Sequence, residues 1–185
     1  DAQLALMMEI VIAHKPVAVR ESASAEESAR IWAGRKAAFS AIGRINDYMC
    51  LDGTIPVSEL AYVLKRIEEM SRKYGLAVGN VFHAGDGNIH PLICYDANRP
   101  GELETCEKFG AEVLKLCVDV GGCLTGEHGV GIEKRDLMSY QYSPEDLAAQ
   151  MVVKDVFDSK WLLNPAKVFP LTVSKPHRSM SFAAE

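Results

Sequence analysis

The chain has 185 residues, of which 48% are hydrophobic and 24% charged, with a formal net charge of −5. That is enough apolar sequence for one domain with a buried core, and the lack of any block of Lys or Arg argues against a nucleic-acid partner. The longest early apolar run, residues 4–13, is interrupted by Glu9, is too short to span a bilayer and lacks the cationic flank and cleavage site of a signal peptide.

In chain order, residues 2–14 have a helical pattern and 16–20 that of a short strand. Residues 24–42 are predicted as a helix opened by a capping box of Ser24 and Glu27. A strand is predicted over 47–54. Pro56 and Ser58 then open a helix that carries Leu60, Val63, Leu64, Ile67 and Met70 on one face and ends near Gly75. Residues 76–84 and 88–95 read as strands. Residues 101–120 read as a helix with Cys106, Phe109, Val113, Cys117 and Val120 on its buried stripe. A glycine-rich loop occupies 121–136, and a helix runs from about Ser143 to Lys160, stopping before "LLNPAK" (162–167). The tail, 171–185, is poor in apolar residues and is expected to be mobile or to depend on a partner surface. The start lacks Met and opens on an amphipathic segment, which suggests a fragment of something longer. Helices and strands alternate, but the hairpin in 76–95 interrupts a strand–helix–strand order. The expected fold is therefore α+β, a mainly antiparallel sheet with helices on one face, rather than a doubly wound sheet. The five cysteines (50, 94, 106, 117 and 123) form no CxxC pair and read as reduced cytosolic thiols, mostly in the core.

The segment "FHAGDGNIH" (82–90) sets two histidines around an Asp-Gly turn. If Asp86 and Gly87 form a two-residue type I′ turn, Gly85 faces Asn88 and His83 faces His90. Directly opposed residues share a sheet face, so the two imidazoles could converge on one metal ion. Alternatively each is an ordinary hydrogen-bonded histidine. Glu127 and His128 lie in a second glycine-flanked segment, "TGEHGVG" (125–131), where a carboxylate would complete the open His2Glu set of catalytic metal sites. That segment could also be a plain capping loop. Its glycines do not match a dinucleotide-binding turn, and it follows a helix rather than a strand. Arg35 is either a solvated helix residue or a bidentate clamp for a carboxylate. Tyr48 could bond a ligand or pack at the sheet end, and a turn role alone would account for Asn88. Lys134 and Arg135 most simply face solvent. Asn164 and Lys167 read as a helix stop and a surface charge.

Five segments in order, "WAGRKAAFSAIGRI", "DGTIPVSEL", "NVFHAGDGNIHPLI", "GEHGVGIEK" and "LLNPAKVFP", resemble the C-terminal domain of FAD-linked 2-hydroxy-acid oxidases and dehydrogenases, flavoenzymes built like vanillyl-alcohol oxidase. The resemblance implies a ferredoxin-like cap or substrate domain over 1–170, with an FAD-binding domain ahead of residue 1. It implies oxidation of a small 2-hydroxy acid, as in the glycolate-oxidase type, with FAD and a divalent metal. Zinc suits the ligands best, and Mn or Fe would also fit. It implies that His83, His90 and Glu127 hold the metal and that His128 is the catalytic base. By the same likeness Arg35 holds the substrate carboxylate, Asn88 lies beside the substrate, and Asn164 belongs to a closing motif that returns toward the flavin. Where the hydroxyglutarate enzymes of the family place Thr and Lys, this chain has Phe39 and Cys50, which points to a monocarboxylate such as glycolate or D-lactate. Implied partners are the chain's own FAD-binding domain and further oxidase subunits, including an iron–sulfur subunit, with room for a homo-oligomer. The implied location is cytoplasmic, with membrane association through partner subunits. The rival readings are a non-catalytic binding module that keeps the fold and a metal-dependent hydrolase, for which no nucleophile motif is present.

Overall fold

The computed structural model describes residues 2–173, so the expected tail lies almost wholly outside the described residues. The chain divides into two compact units, one up to Ala38 and one from Phe39 onward. The first holds α1 (Ala2–Ala13) and α2 (Ala25–Lys36), and no residue of either helix is buried. In α1 even Leu4, Leu6, Met7 and Ile10 are exposed. At the start of α2 the Ser24 hydroxyl accepts the Glu27 N–H at 3.2 Å. The Glu27 carboxylate reaches one residue further back than a capping box requires, to the Ala23 N–H at 2.9 Å. The strand expected over 16–20 does not form. No other segment pairs with it among the described residues, and an unpaired strand leaves its peptide groups to water. The helix expected over 24–42 breaks at Ala37 and resumes as α3 (Ala38–Ile42).

The second unit is built on four antiparallel strands: β1 (Asp47–Cys50), β2 (Gly53–Thr54), β3 (Val78–His83) and β4 (Asn88–Tyr95). β4 is central, with β3 on one side and β1 and β2 in a single register on the other, Cys50 opposite Leu92 and Gly53 opposite Ile89. The strand expected over 47–54 is interrupted at Leu51 and Asp52. Leu51 still donates its N–H to the Pro91 carbonyl at 3.0 Å, but Pro91 has no N–H to return and the ladder lapses there.

Strand periodicity sorts side chains by parity. The odd-numbered residues Met49, Leu51, Gly53, Ile89 and Ile93 face α4 (Leu60–Tyr74) and α5 (Glu102–Asp119). Val63, Ile67 and Met70 of α4 and Cys106, Phe109, Val113 and Cys117 of α5 complete this core, as the apolar spacing predicts. The Phe109 ring stacks on Tyr74 with centroids 5.2 Å apart. Truncating a buried phenylalanine such as this one costs about 3–5 kcal/mol. α6 (Met138–Gln141) and α7 (Pro144–Phe157) follow, the latter opened by a full capping box of Ser143 and Asp146. The fold is the expected α+β class. The even-numbered residues Cys50, Asp52, Asn88 and His90 face the other way, where α3 brings the Phe39 ring edge-on to His90 at 6.0 Å. Among the described residues, no helix is long and apolar enough to cross a membrane.

The hairpin differs from the two-residue turn expected. His83 pairs with Asn88 and Val81 with His90, so the loop is the four residues Ala84–Gly87. The N–H groups of Asp86 and Gly87 both donate to the His83 carbonyl, at 3.0 and 3.1 Å. Gly87 has φ 71°, and a Cβ there would lie 2.0 Å from the Ile55 carbonyl oxygen, so only glycine fits.

Candidate metal and substrate site

The register shift is two residues, an even number, so His83 and His90 still share a face, now as diagonal rather than direct neighbours. Their ring centroids are 5.5 Å apart, nearly perpendicular at 85°. His90 is 2% exposed, and its Nδ1 lies 3.1 Å from the Leu51 carbonyl. A carbonyl can only accept, so Nδ1 carries the proton and Nε2 offers a lone pair. Nε2 is 3.0 Å from Glu127 Oε1, and that same oxygen is 3.9 Å from His83 Nε2. A lone pair facing a carboxylate oxygen at this distance needs a proton or a cation between them. The separation also suits two ligands of one tetrahedral ion, whose edges are about 3.3 Å when bonds are about 2.0 Å. The His128 ring stacks on His90 at 5.2 Å and 23°. Ligating atoms of Asp52, His90, Glu127 and His128 all lie within 4.8 Å of one another, as do those of Cys50, His90 and His128. On chemistry and spacing His90, Glu127 and His128 fit a divalent metal, while His83, with Nε2 3.9 Å from Glu127 Oε1, lies outside both groups.

Glu127 and His128 come from the exposed loop that follows α5, and the element that fixes them is Asp52. This side chain is fully buried and accepts from six donors. Oδ2 takes the Thr125 hydroxyl at 2.7 Å, the N–H groups of Gly126 and His128 at 2.9 and 3.0 Å, and Lys134 Nζ at 3.0 Å. Oδ1 takes the Glu127 N–H at 3.0 Å and Asn88 Nδ2 at 3.3 Å. Burial alone would push this carboxyl up, but the hydrogen bonds from Thr125, Glu127, His128 and Lys134 outweigh it and hold it well below the ordinary carboxylate range. Gly126 is required by this contact, since a Cβ there would sit 2.4 Å from Asn88 Nδ2. Lys134, expected at the surface, is instead 4% exposed, because it supplies the counter-charge to Asp52 and also donates to its carbonyl at 2.8 Å.

Asn88 is 8% exposed, and its Oδ1 has no hydrogen-bond partner among the described residues. Cys50 is half-buried, and burial first, then the Asp52 charge, raises its thiol above the ordinary range. A cavity of about 340 Å³ opens beside His128 and Cys50, lined also by Gly129–Lys134 and by Lys167. A larger one, about 490 Å³, lies against α5 and contains none of the candidate ligands. The Tyr48 ring packs against Gly43, where a Cβ would be 3.1 Å from its Cε1. Arg35 is exposed in the last turn of α2, in the first unit. Asn164 is exposed, with φ 46°, in a segment where Trp161, Ala166 and Val168 also take positive φ. Among the described residues no glycine-rich strand-to-helix turn offers a dinucleotide cradle, and Asn164 by itself does not make one.

Residues 1–168 match the family described as FAD linked oxidases, C-terminal domain. The chain is 49% identical over 167 residues to the glycolate oxidase subunit GlcD of Escherichia coli, covering 90% of this chain and 33% of that protein. It is 35% identical over 154 residues to the GlcD of Bacillus subtilis, covering 83% of this chain and 33% of that protein. Against the mitochondrial D-lactate dehydrogenase [cytochrome] of Kluyveromyces lactis the identity is 36% over 120 residues, 65% of this chain and 20% of that protein. The chain thus spans about a third or less of the length of these relatives. On the match over residues 1–168, it belongs to the family of C-terminal domains of FAD-linked oxidases.

Proposed function

We propose that this chain is the substrate- and metal-binding part of an FAD-dependent oxidoreductase that converts a small 2-hydroxy acid, glycolate or D-lactate, to the 2-oxo acid. The observation that carries the reading is the approach of His90 Nε2 and Glu127 Oε1 to 3.0 Å, with His83 at 3.9 Å from the same oxygen and the His128 ring alongside. His83, His90 and Glu127 would hold the metal, zinc by ligand type, with Mn or Fe as alternatives. When bound, a divalent cation lowers the pKa of a coordinated hydroxyl, and FAD supplies the two-electron acceptor. The flavin itself is assigned to another part of the full-length protein, with Asn164 as the residue of this chain nearest that role.

His128 would take the proton from the C2 hydroxyl, since its ring borders both the ligand set and the 340 Å³ cavity. Arg35 would fix the substrate carboxylate through paired hydrogen bonds, orienting the C2–H bond. Asn88 Oδ1, buried without a partner, would accept from a substrate or water donor, and Tyr48 would add a contact at the sheet end. The choice of a monocarboxylate is supported by Phe39 against His90 and by the neutral Cys50 thiol, neither of which could pair with a second carboxylate. Further oxidase subunits are expected partners, since two relatives are named as subunits of glycolate oxidase.

The test is elemental analysis and a screen of 2-hydroxy acids on the full-length protein. One equivalent of metal and oxidation of glycolate or D-lactate are expected. A metal-free protein inert to every 2-hydroxy acid would overturn the proposal in favour of a binding module.

A further inference from the structure

We propose that Asp52 is a positioning residue for the candidate site, holding the backbone of Gly126–His128 so that Glu127 and His128 present their side chains to His83 and His90. Its functional meaning rests on the metal reading above. The loop has little else to order it. It is exposed from Gly126 to Gly129, and its side chains reach outward to the ligand cluster rather than into the core. Three consecutive N–H groups, those of Gly126, Glu127 and His128, instead converge on one buried carboxylate. Thr125 ties in the next residue, because its hydroxyl donates to Asp52 and accepts from the Gly129 N–H at 2.9 Å. A carboxylate has about four lone-pair sites, so the six donors saturate Asp52 and leave its side chain no alternative orientation. Lys134 locks it from the other side by bonding both its carboxylate and its own carbonyl.

The position of Asp52 in the sheet matters as much as its bonds. The lapse in the ladder falls at Leu51 and Asp52, and the Leu51 carbonyl that it frees and the Asp52 side chain both turn toward the candidate site. The Leu51 carbonyl sets the His90 ring, and the Asp52 carboxylate sets the loop that carries Glu127. Two adjacent residues between β1 and β2 thereby fix the sheet half and the loop half of the candidate ligand set relative to each other. Support of this kind behind metal ligands is worth roughly 10–100-fold in affinity.

The test uses Asp52→Asn and Thr125→Val in the full-length protein, with two readouts: zinc affinity by chelator competition, and amide hydrogen exchange resolved by segment. In Asp52→Asn zinc affinity should fall by roughly 10–100-fold. The Gly126–His128 amides should exchange faster while those of α5 keep the parental rate. Thr125→Val should move both readouts the same way by less. If Asp52→Asn does not fold, Asp52→Asn combined with Lys134→Met leaves no unpaired buried ammonium and carries the same readouts. Parental zinc affinity in a folded variant, or exchange that quickens uniformly over the whole domain, overturns the proposal. If the unsubstituted protein binds no zinc, the metal reading fails by itself, and the local exchange pattern alone decides whether Asp52 positions the loop.

Discussion

Replacing Glu127 by alanine separates ligand chemistry from folding more cleanly than any other change at the site. Its side chain is 56% exposed, and the bond that anchors this residue to Asp52 comes from its N–H, not its carboxylate. Truncation therefore leaves the loop's attachment intact and should shift stability by no more than about 0.5 kcal/mol. The effect on the metal should be large. Structural zinc sites bind with about 10–16 kcal/mol over four ligands, or about 2.5–4 kcal/mol per ligand. Losing the one carboxylate of the His83, His90 and Glu127 set, whose Oε1 approaches both imidazoles, should thus weaken zinc binding by roughly a hundred- to a thousandfold. Chelator competition on the full-length protein reads the affinity, and a urea midpoint taken alongside reads the fold. A folded Glu127→Ala protein that binds zinc within about threefold of the parent, a gap of under 1 kcal/mol, refutes the ligand assignment.

The other changes separate in the same way. His128→Asn should keep the parental zinc affinity while turnover falls by roughly 10²–10⁴-fold, and near-parental turnover would remove it as the base. Burial pushes the Cys106 thiol up to about 11 and the Cys117 thiol up to about 12, from an ordinary 9.0. As pH rises the unfolded chain ionises these thiols first, so their contribution to stability is full below about pH 9 and is lost progressively toward pH 11–12. Urea midpoints should therefore fall as pH rises from about 9 toward 11, less steeply in Cys117→Ala, and an unchanged slope in that variant would contradict the buried-thiol account.

The shared face of His83 and His90 was legible for a reason that survived an error. The sequence reading put His83 opposite His90 through a two-residue turn, whereas a four-residue loop moves the pairing by two. Side chains alternate with period two, so an even shift keeps both imidazoles on one face, where a shift of one would have parted them. The turn itself was not legible because a tertiary contact decides it. The Gly87 carbonyl accepts the Ile55 N–H at 2.9 Å from a neighbouring segment. Asp52 and Lys134 were invisible for the same kind of reason. Each looks ordinary in its local window, a strand acid and a loop lysine, and their ion pair at 3.0 Å joins residues 82 positions apart. The helical cores of α4 and α5 were read closely because a repeating apolar stripe is a local signal. The strand expected over 16–20 had local propensity and, among the described residues, nothing to pair with, which is the limit of such signals.

One alternation serves two purposes in this sheet. Along residues 49–54 and β4 the odd positions bury Leu51, Ile89 and Ile93 under the helices, and the even positions turn Cys50, Asp52, Asn88 and His90 toward the candidate site. The helical core can therefore set the stability of the sheet while the opposite face carries polar groups that no apolar core would tolerate unpaired. The arrangement also divides the ligand set. His83 and His90 belong to a hydrogen-bonded ladder, and Glu127 belongs to a loop held mainly by backbone contacts to Asp52. A cation bound by all three must then fasten the loop to the sheet, taking the position that a proton between His90 Nε2 and Glu127 Oε1 would otherwise fill. Metal binding and the order of residues 125–129 would on this reasoning be coupled, with a bound metal favouring the ordered loop by the same free energy by which the ordered loop favours the metal.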